Sequence, residues 1–221
     1  MVGETTGGHV WLEKLTDDAN PWLTAVRMEE QGELLKAALL YLDDATKCLE
    51  EGTIVRAALG AVCASDCLAR LGMPARARRL YHVAGMLYWD NADARMGESV
   101  RESLWSLQEA HESFLLAGET DNANHVELLF TSLARRANPF IGERDAFRLA
   151  SKTELGVGVA ESAETQGNGG EQPNLAKAFD EFLRARERQR ERDAAARKTA
   201  RRPADKEMEM LDAQGFIGQL G

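Results

Sequence analysis

Apolar residues recur at three- and four-residue steps through most of residues 22–137, with polar residues between them. Ala37, Leu40, Tyr41, Ala45, Cys48 and Leu49 form one such stripe, and Ala77, Leu80, Tyr81, Ala84, Leu87 and Tyr88 form a second. Val100, Leu104, Leu107, His111 and Phe114 form a third. This is the period of a helix with one buried face. Sustained alternation, the mark of a half-buried strand, is missing. Gly32, Gly52, Gly72 and Gly118 punctuate the pattern, and glycine suits the left-handed residue that ends many helices. The spacing predicts helices near 22–31, 33–50, 54–71, 74–90, 97–117 and 121–137. A lone amphipathic helix is marginal in water, so each stripe needs a neighbour. The expected fold is all-α, built of antiparallel helical hairpins stacked side by side.

The phrase G-x-x-x-[KR]-A-x-x-L-Y occurs twice. Laying Gly32 over Gly72 pairs Lys36 with Arg76, Ala37 with Ala77, Leu40 with Leu80 and Tyr41 with Tyr81. A degenerate copy starts at Gly118, with Ala123 and Val126 in register and Glu127 at the tyrosine position. Repeats of this length, each a helical hairpin, are the units of stacked α-solenoids. The small alanine lets the paired helices approach, and Leu-Tyr fills the gap to the next unit. On these glycine, alanine and tyrosine positions, residues 22–137 resemble the tetratricopeptide-like superfamily, especially long-repeat members such as the soluble NSF attachment proteins. The period differs from the standard tetratricopeptide, and the Trp-Leu-Gly opening and regular closing Pro are missing. The resemblance implies a short tetratricopeptide-like solenoid that binds another protein and performs no catalysis.

The chain divides into five stretches by composition. Residues 1–20 are a Gly/Thr-rich lead-in, and Asn20-Pro21 starts the first helix. The helical-repeat domain is expected over 21–152, with a short last helix over 140–152. Residues 153–173 hold the glycines and polar residues of a flexible linker. Residues 174–202 predict an Arg-rich helix capped by Asn174, with Leu175, Phe179, Phe182 and Leu183 on one side and Pro203 interrupting it. Residues 203–221 are an apolar tail containing Met208, Met210, Leu211, Phe216, Ile217 and Leu220. Within the Arg-rich helix, like charges four apart offset the favourable pairs three apart, so the helix is expected to be partly formed alone and to order on a partner.

Charge is unevenly spread over this frame. The whole chain carries −9 at pH 7 and has a pI near 5.1, which repels phosphate in general. Residues 184–202, however, hold nine Arg or Lys against three acids, and residues 203–221 hold one Lys against four acids. The Arg-rich run has three readings: RNA or a ribosomal surface bound through phosphates, an acidic protein face on this chain or another, or a solvated tail. The interspersed acids and the lack of stacking aromatics favour protein over nucleic acid. The tail has its own alternatives, a groove-docking peptide or a frayed end.

Candidate chemistry is sparse. Cys48, Cys63 and Cys67 are too few for a disulfide framework and imply reduced thiols in a cytoplasmic protein. The start, MVGETTGGHVWLEK, lacks the basic and apolar segments of a signal peptide, and no run approaches the length of a membrane span. No set of Ser, His and Asp converges, so no catalytic, metal or cofactor site is expected. A site between helices around His111 and Asp66 is the enzymatic alternative. Arg76, Arg78 and Arg79 crowd the first turns of a helix, where the macrodipole disfavours cations; an acidic partner peptide or an acid of the adjacent repeat would hold them there. The expected function is a non-enzymatic protein-interaction adaptor or assembly subunit, a scaffold that binds a partner or a sister copy. Its expected partner-binding residues are Arg76, Arg78, Arg79, Arg184, Arg188, Arg192, Phe216 and Ile217. The alternative is an RNA- or ribosome-associated factor acting through residues 184–202.

Overall fold

The computed structural model describes residues 20–138 and 172–217, with side chains described over 20–138 and 174–196. The described residues form seven helices: α1 Pro21–Glu30, α2 Leu34–Glu51, α3 Ile54–Arg70, α4 Pro74–Arg95, α5 Val100–Ala117, α6 Thr120–Ala137 and α7 Gln172–Ile217. No strand occurs among them. The fold is all-α, as the hydrophobic period requires. For α1 to α6 the predicted ends are within a residue or two of those observed, except around the α4–α5 turn. There α4 runs a turn longer, to Arg95, and Ser99 sets the start of α5 by accepting from the Glu102 amide at 3.3 Å.

Each helix from α1 to α6 packs mainly on its neighbours in sequence, giving a stack of antiparallel helices. The turns that reverse the chain are alike. After α2, Gly52 sits at φ 80°, and the Thr53 amide reaches back to the Cys48 carbonyl at 2.8 Å. Only a residue without a Cβ takes this backbone without cost, and the bond satisfies a carbonyl that would otherwise be orphaned at the helix end. The same backward bond closes the turns after α1, α3 and α5, from Glu33 to Met28, from Met73 to Leu68 and from Glu119 to Phe114.

Small side chains line the contacts. Ala37, Ala45, Ala57, Ala61, Ala64 and Ala84 are fully buried. A Cβ on Gly60 of α3 would lie 3.0 Å from the Ala45 Cβ of α2, so these helices meet almost backbone to backbone. The repeated phrase makes the same contact twice. Leu80 is buried, and Tyr81 donates its hydroxyl to Asp66 on α3; Tyr41, its counterpart, donates to Glu29 on α1 at 3.0 Å. In the third unit Ala123 and Val126 are buried, while Glu127 in the tyrosine position is exposed.

The C-terminal stretch differs from its expected division. Helix α7 starts at Gln172, ahead of Asn174, and continues through Pro203 to Ile217 as one element. Proline's fixed φ fits a helix and removes one amide donor, and the Ala, Arg, Lys, Glu and Met around it favour the helical state. The lead-in before Asn20 and the expected helix over 140–152 lie outside the described residues, as does nearly all of the expected linker.

Candidate protein-interaction site

Helix α7 lies against the stack, mainly on α2. Its inward positions step by four and three: Leu175, Phe179, Phe182, Arg186, Gln189 and Asp193. Leu175 and Phe182 are essentially inaccessible to solvent, and Ala185 and Gln189 are also buried. Fully burying a phenylalanine stabilises by about 1.5–3 kcal/mol, so this seam can hold a helix whose own charge pairs cancel. The expectation that the segment would be only partly formed applies to it alone; here the body of its own chain supplies the covering surface.

The order of contacts gives the direction of α7. Phe179 meets Arg79 near the start of α4, while Arg192 reaches the end of α2. Helix α7 therefore runs parallel to α2 and α4. Arg192 donates to the carbonyls of Leu49 at 2.9 Å and Glu50 at 3.0 Å. These carbonyls form the negative end of α2, whose last turn carries no basic residue of its own, and cations are favoured there. One turn earlier on α7, Arg188 pairs with the Glu50 carboxylate at 3.0 Å.

The expected partner-binding arginines thus separate into groups. Arg188 and Arg192 hold α7 to its own body, and Arg184 projects outward, exposed. Arg79 is exposed and lays its guanidinium over the Phe179 ring, 4.8 Å from the centroid. Arg76 is half-buried, and its Nη1 has no hydrogen-bond partner among the described residues. None of Arg76, Arg78 and Arg79 forms an ion pair among the described residues, so the acid from an adjacent repeat that would hold them is not found there. Phe216 and Ile217 end α7, and their side chains lie outside the described set.

Two further polar positions beside α7 were not among the expected site residues. Arg186 faces the stack, half-buried, its Nε without a hydrogen-bond partner among the described residues. Burial pushes its pKa down, opposed by Asp90 and Glu187 and reinforced by Arg190. The heptad-like continuation of Phe179 and Phe182 could have flagged it. His82 on α4 contacts Glu119 through Nδ1 at 2.9 Å. Burial alone would raise the Glu119 pKa, but hydrogen bonds from His82 and Asn122 outweigh it and hold it below the usual value.

The enzymatic alternative gains no geometry. His111 is buried on α5 and Asp66 stands on α3, with α4 between them in the packing order. Desolvation lowers the His111 pKa, against the pull of Glu127 and Glu112. The same burial raises Asp66, which is occupied as acceptor for Tyr81. Cys63 lies near Asp66 but is pushed up to about 12 by burial and by the charge of that carboxylate. A thiol in that state is a poor nucleophile. Among the described residues no group of His, Cys, Asp and Glu is arranged to hold a metal, and no helix is long and apolar enough to cross a membrane. No family model, curated protein or solved structure matches this chain.

Proposed function

We propose that this chain is a non-enzymatic protein-interaction adaptor or assembly subunit, with a tetratricopeptide-like helical-repeat body in a cytoplasmic setting. The observation that carries this reading is α7 itself, an amphipathic helix seated on α2 and beside α4. A face that buries Leu175, Phe179 and Phe182 of its own chain is shaped for a helix with that spacing of anchors, the usual code for helix-in-groove recognition. A partner reaches that face by displacing α7, or binds the assembled surface through Arg76, Arg78, Arg79, Arg184 and the Phe216–Ile217 end. Arg188 and Arg192 are engaged with α2, which leaves fewer arginines of the basic run for phosphates and favours protein over RNA.

The test compares proteins that copurify with the full chain and with Phe182→Asp, which removes the central anchor of α7. Circular dichroism first establishes that the variant keeps its helices. An altered partner set, with the same partners recovered on a chain ending at residue 173, supports a helix-binding face. Identical partner sets in all three preparations would remove that role.

A further inference from the structure

Between the start of α4, the α5–α6 turn and α7 lies a cleft of about 360 Å³. Its polar lining comprises Arg78, Arg79, His82 and Arg186, with one acid, Glu119. That acid is already committed to His82 and Asn122, and no carboxylate forms an ion pair with Arg78, Arg79 or Arg186 among the described residues. Three guanidinium groups from two helices therefore line one space with no carboxylate in ion-pair contact with any of them among the described residues; Asp90 and Glu187 act on Arg186 only from farther off. The ring of Phe179 takes one side of Arg79, but guanidinium N–H donors are oriented for oxygen acceptors. The Nε of Arg186, withdrawn from solvent, has none among the described residues.

We propose that this cleft binds a small phosphate-bearing ligand, and that the bound anion latches α7 onto the stack. The class of ligand follows from charge and size. One carboxylate balances one guanidinium, whereas three call for an anion of higher charge, and arginine forks match phosphate oxygens in pairs. The volume falls in the range of small-molecule sites, roughly 300–1,000 Å³. Val83, Ala117 and Leu183 add an apolar wall suited to the body of a compact organic phosphate. The net negative charge of the chain does not prevent this, because screening over about 8 Å at physiological salt leaves the local field of the cleft in control. The latch follows from linkage. Arg78 and Arg79 belong to α4 and Arg186 to α7, so the complete site exists only when α7 is seated. A ligand that binds only the seated state stabilises it.

Pyrophosphate is the probe, titrated calorimetrically into the full chain at constant ionic strength, with amide hydrogen exchange followed along α7. The expected result is saturable one-to-one binding and slower exchange across 175–189. Arg78→Gln and Arg186→Gln should each weaken binding about tenfold, the equivalent of about 1.4 kcal/mol, while Arg101→Gln on α5 should leave it unchanged. Arg78 forms no hydrogen bond or ion pair with α7 among the described residues, so its variant remains informative even if Arg186→Gln loosens that helix. No saturable binding, equal weakening in Arg101→Gln, or tight binding of citrate with none of pyrophosphate would overturn the assignment; unchanged exchange would overturn the latch. The titration uses the isolated protein, so its failure is distinct from a failure of partner capture.

Discussion

The guanidinium of Arg192 sits 2.9 Å from the carbonyl oxygen of Leu49, joining positions 143 residues apart. Leu49 lies in the last turn of α2, which has no cation of its own there, and α7 supplies one. The C-terminal helix therefore completes the electrostatics of α2 and does not merely lie on it.

Removing that contact should loosen α7 locally. Arg192→Ala deletes two charge-assisted bonds to carbonyls, each worth about 1.5–3 kcal/mol when buried but less at an exposed side chain. The expected cost is about 1 kcal/mol, confined to α7. Amide exchange should quicken over 188–196, with little change in α2 through α6. Arg192→Lys should restore part of the protection, since a point charge still favours the helix end.

The sequence made the stack legible because helix period, turn glycines and the Leu-Tyr phrase all report the same element ends. Tyr41 and Tyr81 were matched by spacing alone, and each proves to hold an acid on the preceding helix. The site was less legible. Arg76, Arg78 and Arg79 stood out as cations in an unfavourable place, but their surroundings depend on α7, about a hundred residues on. No local rule links Phe179 to Arg79 or Arg192 to Leu49. The inward step of Arg186 was readable in principle, but a charged residue there looks like the solvated side of a polar helix until the apolar stripe before it is extended. Pro203 misled for the opposite reason: its local effect is real, and the helix-favouring residues on either side outweigh it.

The Asp44–Arg56 pair predicts an asymmetry between its two halves. Arg56 grips Asp44 with Nε at 3.1 Å and Nη2 at 2.8 Å, joining α2 to α3. The Asp44 side chain is 6% exposed and that of Arg56 49%. Arg56→Ala strands a buried carboxylate and should cost about 2–3 kcal/mol, below the 3–5 kcal/mol range for pairs buried on both sides. Asp44→Asn leaves an arginine that water can reach, so it should cost less. Adding Asp44→Asn to Arg56→Ala should recover stability. Urea denaturation of the four proteins checks this, and equal losses in the two single variants would contradict it.

Gly85 should resist replacement even though alanine is the better helix former. A Cβ there would stand 2.9 Å from Cε1 of Phe114, which is fully buried. Alanine gains about 1 kcal/mol in helix propensity, while crowding a packed ring costs about 1–3 kcal/mol. The expected net loss is about 1 kcal/mol, read as a lower Tm. In a Phe114→Leu background the ring is absent, and the same Gly85→Ala change should become neutral or stabilising.

Alkaline pH should weaken the fold through its buried thiols and phenols. Burial, the charges of Asp66 and Glu29, and the neighbouring thiol push Cys63 to about 12 from 9.0. Burial and Glu29 push Cys67 to about 11, with Arg70 opposing. Tyr41, Tyr81 and Tyr88 are also raised, first by burial, with hydrogen bonds to Glu29 and Asp66 adding to the effect for the first two. Above about pH 9 the unfolded chain releases these protons while the folded chain keeps them. Fewer protons bound in the unfolded state means stability that falls as pH rises. These groups therefore impose no penalty below pH 9 and a growing one between about pH 9 and 12. Chemical denaturation at pH 8, 9, 10 and 11 should show a steepening loss, and Cys63→Ala with Cys67→Ala should flatten it, leaving the tyrosine part. At pH 8 the same two thiols should react with an alkylating reagent far more slowly in the folded chain than in urea; equal rates would mean that the helices do not enclose them.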